Sequence, residues 1–178
     1  MDENKAEIIK QSSIIRFRQA MDSDLDYIME TEHAEENAQY VIPWPKEEHA
    51  RLLNIDNTKH FIVETADGFK KVGFVIVSGL KNPFQEIEFM RIIMADKGKG
   101  YGRETVKMLQ AWAFEDLGAH RAWLDVKEYN DRARNLYKSE GFIEEGRIRD
   151  CIKTGDRYES LIILAILEDE YLEKLKKA

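Results

Sequence analysis

Between the apolar run "IIM" and the helix-forming segment "RETVKMLQAWAFEDLGAH" lies "ADKGKGYGRE" (residues 95–104), in which Gly98, Gly100 and Gly102 alternate with Lys99 and Tyr101. A strand, a glycine turn and a helix N-terminus together make an anion site. The first helical turn leaves backbone N–H groups without intrahelical partners, and the helix dipole adds partial positive charge there. Glycine has no Cβ, so a bulky pyrophosphate can come close to the main chain. Lys97, Lys99 and Arg103 offer charge for phosphates beyond the loop. A tight turn with solvated lysines has the same composition, so the glycines alone leave both readings open. Two phosphate motifs are excluded. A nucleoside-triphosphate loop ends in Gly-Lys-Ser/Thr, whereas Gly98-Lys99 is followed by Gly100, and Gly102-Arg103 by Glu104. A dinucleotide fingerprint runs G-x-G-x-x-G after an early strand, whereas G-x-G-x-G stands here after the fourth.

A second stretch, "NDRARNLYKSEGF" (residues 130–142), follows the strand-like "AWLDV". Ala133, Leu136 and Tyr137 fall at i, i+3 and i+4, on one helical face. Asn130 stands where an N-cap is expected, and Gly141 just past the helix end. Glu86 and Glu88, in "EIEFM", share one face of a strand by its period of two. The histidines His33, His49, His60 and His120 have neither H-x-H nor H-E-x-x-H spacing, so no metal is expected. Cys151, the single cysteine, cannot close an internal disulfide and reads as a strand position rather than a nucleophile.

These residues need elements to hold them. "IIRFRQA" (14–20) alternates like a half-buried strand. "MDSDLDYIMETEHAEENAQYV" (21–41) reads as one helix, capped by Asp22 or Ser23, with Leu25, Ile28 and Met29 as its apolar stripe. The prolines of "IPWP" end it, and a short helix follows from about Lys46 to Asn54. "KHFIVETA" and "KKVGFVIVSGL" flank the hairpin turn "DGF", and "FQEIEFMRIIM" is the next strand. A helix of about four turns then runs to near Gly118. "HRAWLDVK", the helix of the second stretch, and the hairpin of "FIEEGRIRDCIK" with "RYESLIILAIL" complete the order. The expectation is an α/β (α+β) fold: one domain over residues 1–178, with a core of about 14–167 and a charged helical tail from 168. Its sheet is mixed, mostly antiparallel, with about seven strands and flanking helices.

With 178 residues, 43% of them hydrophobic, the chain can bury a full core without disulfides or metal. A net charge of −7 argues against a nucleic-acid partner and suits a cationic small molecule, although acidity also serves solubility. "MDENKAEIIK" has no signal-peptide core, and no apolar run approaches the ~20 residues of a membrane span. The expected compartment is the cytoplasm, with no membrane partner.

Taken together, the two stretches resemble the GNAT superfamily of acetyl-CoA-dependent N-acetyltransferases. That family carries a Q/R-x-x-G-x-G/A loop, then a strand, then N-x-x-A-x-x-L-Y-x-x-x-G-F. Lys97, Gly100 and Gly102 fill the loop positions; Asn130, Ala133, Leu136, Tyr137, Gly141 and Phe142 fill the second motif. The element order is similar over residues 14–167, and the look is nearest to the spermidine acetyltransferase and ribosomal-protein N-terminal acetyltransferase branches. Lys97 departs from the usual Gln or Arg, the usual proline after the strand is absent, and the "ADK" turn is about one residue shorter. The resemblance implies acetyl-CoA as co-substrate, held by Ile92, Ile93, Met94, Lys97, Gly98, Lys99, Gly100, Tyr101, Gly102, Arg103, Asn130, Arg134 and Tyr137.

It also implies a mechanism. A primary amine, with pKa about 10.4, is protonated at neutral pH, so a base or a water path must take a proton from it. The family commonly places an acidic residue at the position of Glu88; an exposed strand carboxylate fits the residue equally. A main-chain N–H within 91–94 would face the developing oxyanion, and Tyr137 would protonate the departing thiolate. The spacing of Tyr137 also fits a plain core aromatic, and a cap alone would explain Asn130. Acceptor residues are expected to be Glu32, Trp44, Glu86, Glu88 and Tyr158. Glu30, Glu32, Glu35 and Glu36 either attract a polyamine or form a solvated helix face, and Trp44 either stacks on substrate or anchors its loop. The acceptor is read as a small amine or polyamine, with a protein N-terminus next. A coenzyme A sensor without turnover is the rival reading. A homodimer is expected to pair through "RYESLIILAIL".

Overall fold

The structure, a computed structural model, describes residues 6–177. The start of "MDENKAEIIK" and the last residue of the tail lie outside the described residues. The chain runs β1 (Ile8–Gln11), β2 (Ile15–Gln19), a 3-10 turn (Asp22–Asp24), α1 (Leu25–His33), α2 (Glu35–Ala38), α3 (Lys46–Leu53), β3 (Thr58–Thr65), β4 (Lys71–Ser78) and β5 (Glu86–Met94). It continues with α4 (Tyr101–Ala111), a π turn (Trp112–Asp116), β6 (Arg121–Lys127), α5 (Asp131–Ser139), β7 (Ile143–Thr154), β8 (Arg157–Leu167) and α6 (Glu168–Lys177). The strands form one sheet in the order β1-β2-β3-β4-β5-β6-β8-β7, eight rather than about seven. The additional strand, β1, is four residues long and carries no strict alternation.

β4 reads as a near-continuous apolar run, and β3 is buried along almost its whole length, because both faces of the two strands are covered. On one face, Phe17, Phe61, Val63, Val75 and Val77 pack with Val106, Leu109 and Trp112 of the α4 region. Phe61 meets Trp112 edge-on at 5.0 Å. On the other face, Ile62, Phe74, Ile76 and Ile93 pack with Ile28 of α1.

Three features depart from the sequence reading. The single helix of 21–41 is broken at Ala34, whose ψ of 133° is extended. The break lets the Asn37 side-chain amide donate to the Thr31 carbonyl at 2.8 Å and reach toward the Met94 carbonyl at 3.4 Å, mooring α2 to β5. Neither Asp22 nor Ser23 caps α1. Instead Asp24 accepts from the Met21 N–H and pairs with Arg18 and Lys71, each at 2.7 Å. The long helix loses its α geometry at Ala111 and widens into the π turn, where Phe114 stacks on Tyr171 of α6 at 4.9 Å. The strand expected to pair two copies, β8, is interior, with β6 on one side and β7 on the other. The open edges of the sheet are β1 and β7.

Two irregularities of β5 make room for a site. β5 pairs in parallel with β6 only at Glu86↔Arg121, Ile87↔Ala122 and Glu88↔Trp123, and beyond Glu88 the strands part. β6 meanwhile stays paired to β8 as far as Lys127↔Leu161. The β4–β5 register slips between Ser78↔Glu88 and Ile76↔Arg91, which places one extra residue in β5. Phe89 therefore stays with the α4 face, while Met90 and Arg91 both turn toward α1.

Candidate active site

The parted strands open into a cleft of about 1260 Å³, walled by β5, β6, the glycine loop, α5 and the segment that includes Trp44. Single-ligand pockets run to roughly 300–1,000 Å³, so this one has room for two reactants.

On the α4–α5 side the inward groups are main-chain. Gly98 and Gly100 have φ of 79° and 82°, and Gly100 is the residue from which α4 starts. A Cβ on either would meet nothing within 4 Å, so the left-handed backbone, not crowding, selects glycine. No side chain caps α4, and Gly98, Gly100, Gly102 and Arg103 line the cleft. The diphosphate of coenzyme A fits this cradle: the donors are uncapped and no side chain fills it. Ile92, Ile93 and Met94 bring the unpaired edge of β5 to the same space. Asn130 also lines it, with its Oδ1 capping α5 by accepting from the Ala133 N–H at 3.2 Å.

The cations expected around the loop are largely engaged. Lys97 lines the cleft and donates to the Glu36 carbonyl at 2.8 Å. Lys99 is exposed beside Asp96 and lies off the cleft wall. Arg103 binds Glu140 and the Ser139 hydroxyl. Arg134 is held by Glu144 and the Glu128 carbonyl, and Tyr101 packs half-buried on the core; neither lines the cleft. Arg132, which the sequence reading passed over, does line it, and it has no ion-pair or hydrogen-bond partner among the described residues.

Tyr137 projects from α5 to the cleft, with its ring buried 5.9 Å from that of Phe142. Burial, with the charge of Asp125 second, pushes its hydroxyl up to about 12. Glu88 lines the cleft from β5 and accepts from the Ser78 hydroxyl at 2.7 Å. Burial holds its carboxyl above the usual range despite that hydrogen bond, and the nearby charges of Asp125 and Glu86 act in the same direction.

The other expected acceptor residues divide. Trp44 is part of the wall and is clamped by Arg91, whose guanidinium lies 3.7 Å from the ring centroid. Glu32 is fully buried behind that wall, where it accepts from Arg91, from the Trp44 N–H at 2.9 Å and from His49 Nε2 at 3.1 Å. It builds the pocket and does not face it. Glu86 pairs with Arg121 at 3.0 Å, outside the cleft. Tyr158 is 61% exposed near the tip of the β7–β8 hairpin, also outside it. Arg91, Asp125 and Lys127 line the cleft and were not anticipated. The alternation of "RAWLDVK" carried that signal for β6, since Trp123, Asp125 and Lys127 fall on the face opposite the buried Ala122, Leu124 and Val126. Lys127 is matched by Glu159 at 2.8 Å and donates to the Gln39 carbonyl at 3.0 Å.

Residues 29–142 match the Acetyltransferase (GNAT) family. A spermidine N(1)-acetyltransferase of Vibrio cholerae is 29% identical over 117 residues, 65% of this chain and 67% of that protein. The spermidine N(1)-acetyltransferase of Escherichia coli K12 is 24% identical over 91% of this chain and 90% of its own. A crystal structure of the Vibrio cholerae enzyme with CoA and spermine superposes with a TM-score of 0.80 at 25% identity, covering 90% of this chain and 99% of that one. With the match spanning most of the chain and the cradle and the parted strands in place, the protein belongs to the GNAT family of acetyl-CoA-dependent N-acetyltransferases.

Proposed function

We propose that this enzyme acetylates a primary amine of a polyamine or similar small cationic amine, with Glu88 as base and Tyr137 as acid. The observation that carries the reading is that Glu88 of β5 and Tyr137 of α5 line one cleft, opened where β5 and β6 part. The similar proteins named as spermidine acetyltransferases support the substrate class.

Acetyl-CoA supplies the thioester carbonyl. Glu88, directly or through one water, takes a proton from the ammonium and frees the nitrogen lone pair. Its raised carboxyl is a better proton acceptor than an ordinary glutamate, because burial disfavours its charged form. The C–N bond forms, the C–S bond breaks, and the acylated nitrogen loses its second proton to solvent, leaving a neutral amide. Tyr137 gives its hydroxyl proton to the departing sulfur and is reprotonated from solvent. Its phenol stays protonated across the neutral range, so the acid is always loaded. A thiolate near pKa 8.5 is the weaker base, so the transfer accompanies C–S cleavage rather than following it. The main-chain N–H groups of 91–94, on the unpaired side of β5, are the donors for the developing oxyanion. Lys97, Gly98, Gly100, Gly102, Arg103 and Asn130 hold the coenzyme, with Arg132 as a free cation for its phosphates.

The test is thiol release from acetyl-CoA across polyamines, amino sugars, amino acids and short peptides. Turnover with polyamines is expected. Turnover confined to peptides would move the acceptor to protein N-termini. Coenzyme A binding by calorimetry without turnover on any amine would make the chain a sensor.

A further inference from the structure

We propose that Asp125 determines acceptor specificity: its carboxylate takes a second cationic nitrogen of the acceptor, apart from the one that is acetylated. The inference rests on the amine-acetylating reading above.

The acceptor side of the cleft, facing α1 to α3, is lined by charges of both signs. Its cations are matched: Arg91 by Glu32, and Lys127 by Glu159. Its carboxylates on β5 and β6 are not. Glu88 has one hydroxyl donor, Ser78. Asp125 has no hydrogen-bond or ion-pair partner among the described residues, although it stands on an interior strand, on the cleft wall. Asp125 is open to solvent in the cleft, so water is its partner there rather than a protein donor. It keeps its acceptor capacity for something that enters the cleft. The surrounding cleft walls hold Asp125 above the usual carboxylate range although its side chain is open to solvent, and only Arg91, bound elsewhere, pulls it down. An incoming ammonium would replace water on Asp125 and favour its charged form.

The register separates its role from that of Glu88. Glu88 lies directly across from Trp123, and Asp125 is two residues farther along β6 on the same face. Two residues of strand advance about 7 Å. The strands part over that interval, so the two carboxylates stand apart, at opposite walls. One nitrogen giving up its proton at Glu88 therefore leaves Asp125 facing a position a short alkyl spacer away. A diamine with a short spacer places its second charge there, and a monoamine of equal length places a methyl group there.

The experiment compares wild type with Asp125→Asn, which keeps size and shape, on 1,4-diaminobutane and on butylamine. The readout is the ratio of kcat/KM for the two amines, because any indirect effect on Tyr137 acts on both alike. We expect the ratio to fall by about tenfold or more in Asp125→Asn, through the diamine KM, with acetyl-CoA KM unchanged; loss of a charge-assisted contact is worth that much. A ratio unmoved within about threefold overturns the proposal, as does a fall carried by kcat alone. Calorimetric binding of 1,4-diaminobutane to the coenzyme A complex of both proteins is run in parallel. If the wild type turns over neither amine, the acetylation reading fails, and the diamine affinities still decide Asp125: weaker binding in Asp125→Asn supports it, equal binding overturns it.

Discussion

On the α4–α5 side of the cleft, the groups turned inward are main-chain N–H donors at an uncapped helix start, reached through two left-handed glycines. On the α1–α3 side they are carboxylates and a tryptophan, held by an arginine whose own charge is matched out of sight. A main-chain site constrains sequence directly. A backbone at φ near 80° accepts few residues but glycine, so such a site leaves a readable spacing. A side-chain site depends on which residues meet across the fold, and many combinations serve. The coenzyme half can therefore be shared among proteins whose acceptor halves differ. The two walls should then fail in separable ways when mutated.

The largest effects are expected where the walls meet. Tyr137→Phe keeps the buried ring and removes the proposed acid, so kcat should fall by about 10²–10⁴, with both KM values and the melting temperature little changed. An unchanged kcat would remove Tyr137 from the chemistry and leave it a core aromatic. As the proposed base, Glu88 should set the acid limb of kcat/KM, with the rate rising as pH rises through its elevated pKa. Glu88→Gln should lower the rate and abolish that limb; a limb that persists would assign it to another group.

Next in size is the support behind the acceptor wall. Glu32→Gln leaves the Arg91 guanidinium buried without its counter-charge. Removing one partner of a buried pair typically costs about 3–5 kcal/mol, so thermal unfolding should show a large loss. In the fraction that remains folded, the amine KM should rise as Trp44 loosens, while the acetyl-CoA KM holds. Equal changes in the two would mean the walls are not independent.

A smaller, opposite split is expected at the glycine loop. Gly100→Ala puts a Cβ on a residue with φ of 82°, at a cost of roughly 1–2 kcal/mol. The acetyl-CoA KM should rise up to about tenfold with the amine KM unmoved, since 1.4 kcal/mol is a factor of ten. Gly102→Ala is the control. It lies within α4, and its Cβ would meet Met94 Cγ at 3.7 Å and Leu136 Cδ2 at 3.8 Å, ordinary contacts. It should be close to silent in stability.

That contrast also explains what could be read from the chain. The alternating and apolar runs of β2 to β6 and the two hairpin turns were visible, because period and turn chemistry are local. The break at Ala34 was not, since alanine favours helix and the break is stabilised by Asn37 reaching carbonyls outside its own turn. Tyr137 and the glycine loop were singled out through the resemblance to a family motif; spacing alone left a tight turn and a core aromatic as equal readings. The charges around the loop were recognised by type, but Lys97, Lys99 and Arg103 take partners only the fold supplies. Glu32 was misplaced for the same reason: nothing near it in sequence announces Arg91, 59 residues away. Asp125 sat in plain alternation, but its lack of a partner is a property of three dimensions.

The smallest effect is one of stability, and its sign is what matters. A carboxylate with a raised folded pKa binds its proton more tightly folded than unfolded. It therefore destabilises the fold once pH exceeds the folded pKa, and contributes nothing below the unfolded one. Glu88→Gln removes that cost and lets the Ser78 hydroxyl keep a carbonyl acceptor. The variant should be more stable than wild type near pH 8, and the gain should vanish as pH falls below the ordinary glutamate range. Asp24 sets the opposite trend in both proteins. Arg18, Lys71 and the Met21 N–H hold its carboxyl well below the usual range, so its stabilisation is lost on acidification. Subtracting the two urea-unfolding profiles across pH cancels Asp24 and isolates Glu88. A flat difference would mean that Ser78 and solvent already compensate the Glu88 charge, and the acceptor wall would then carry a single uncompensated carboxylate, Asp125.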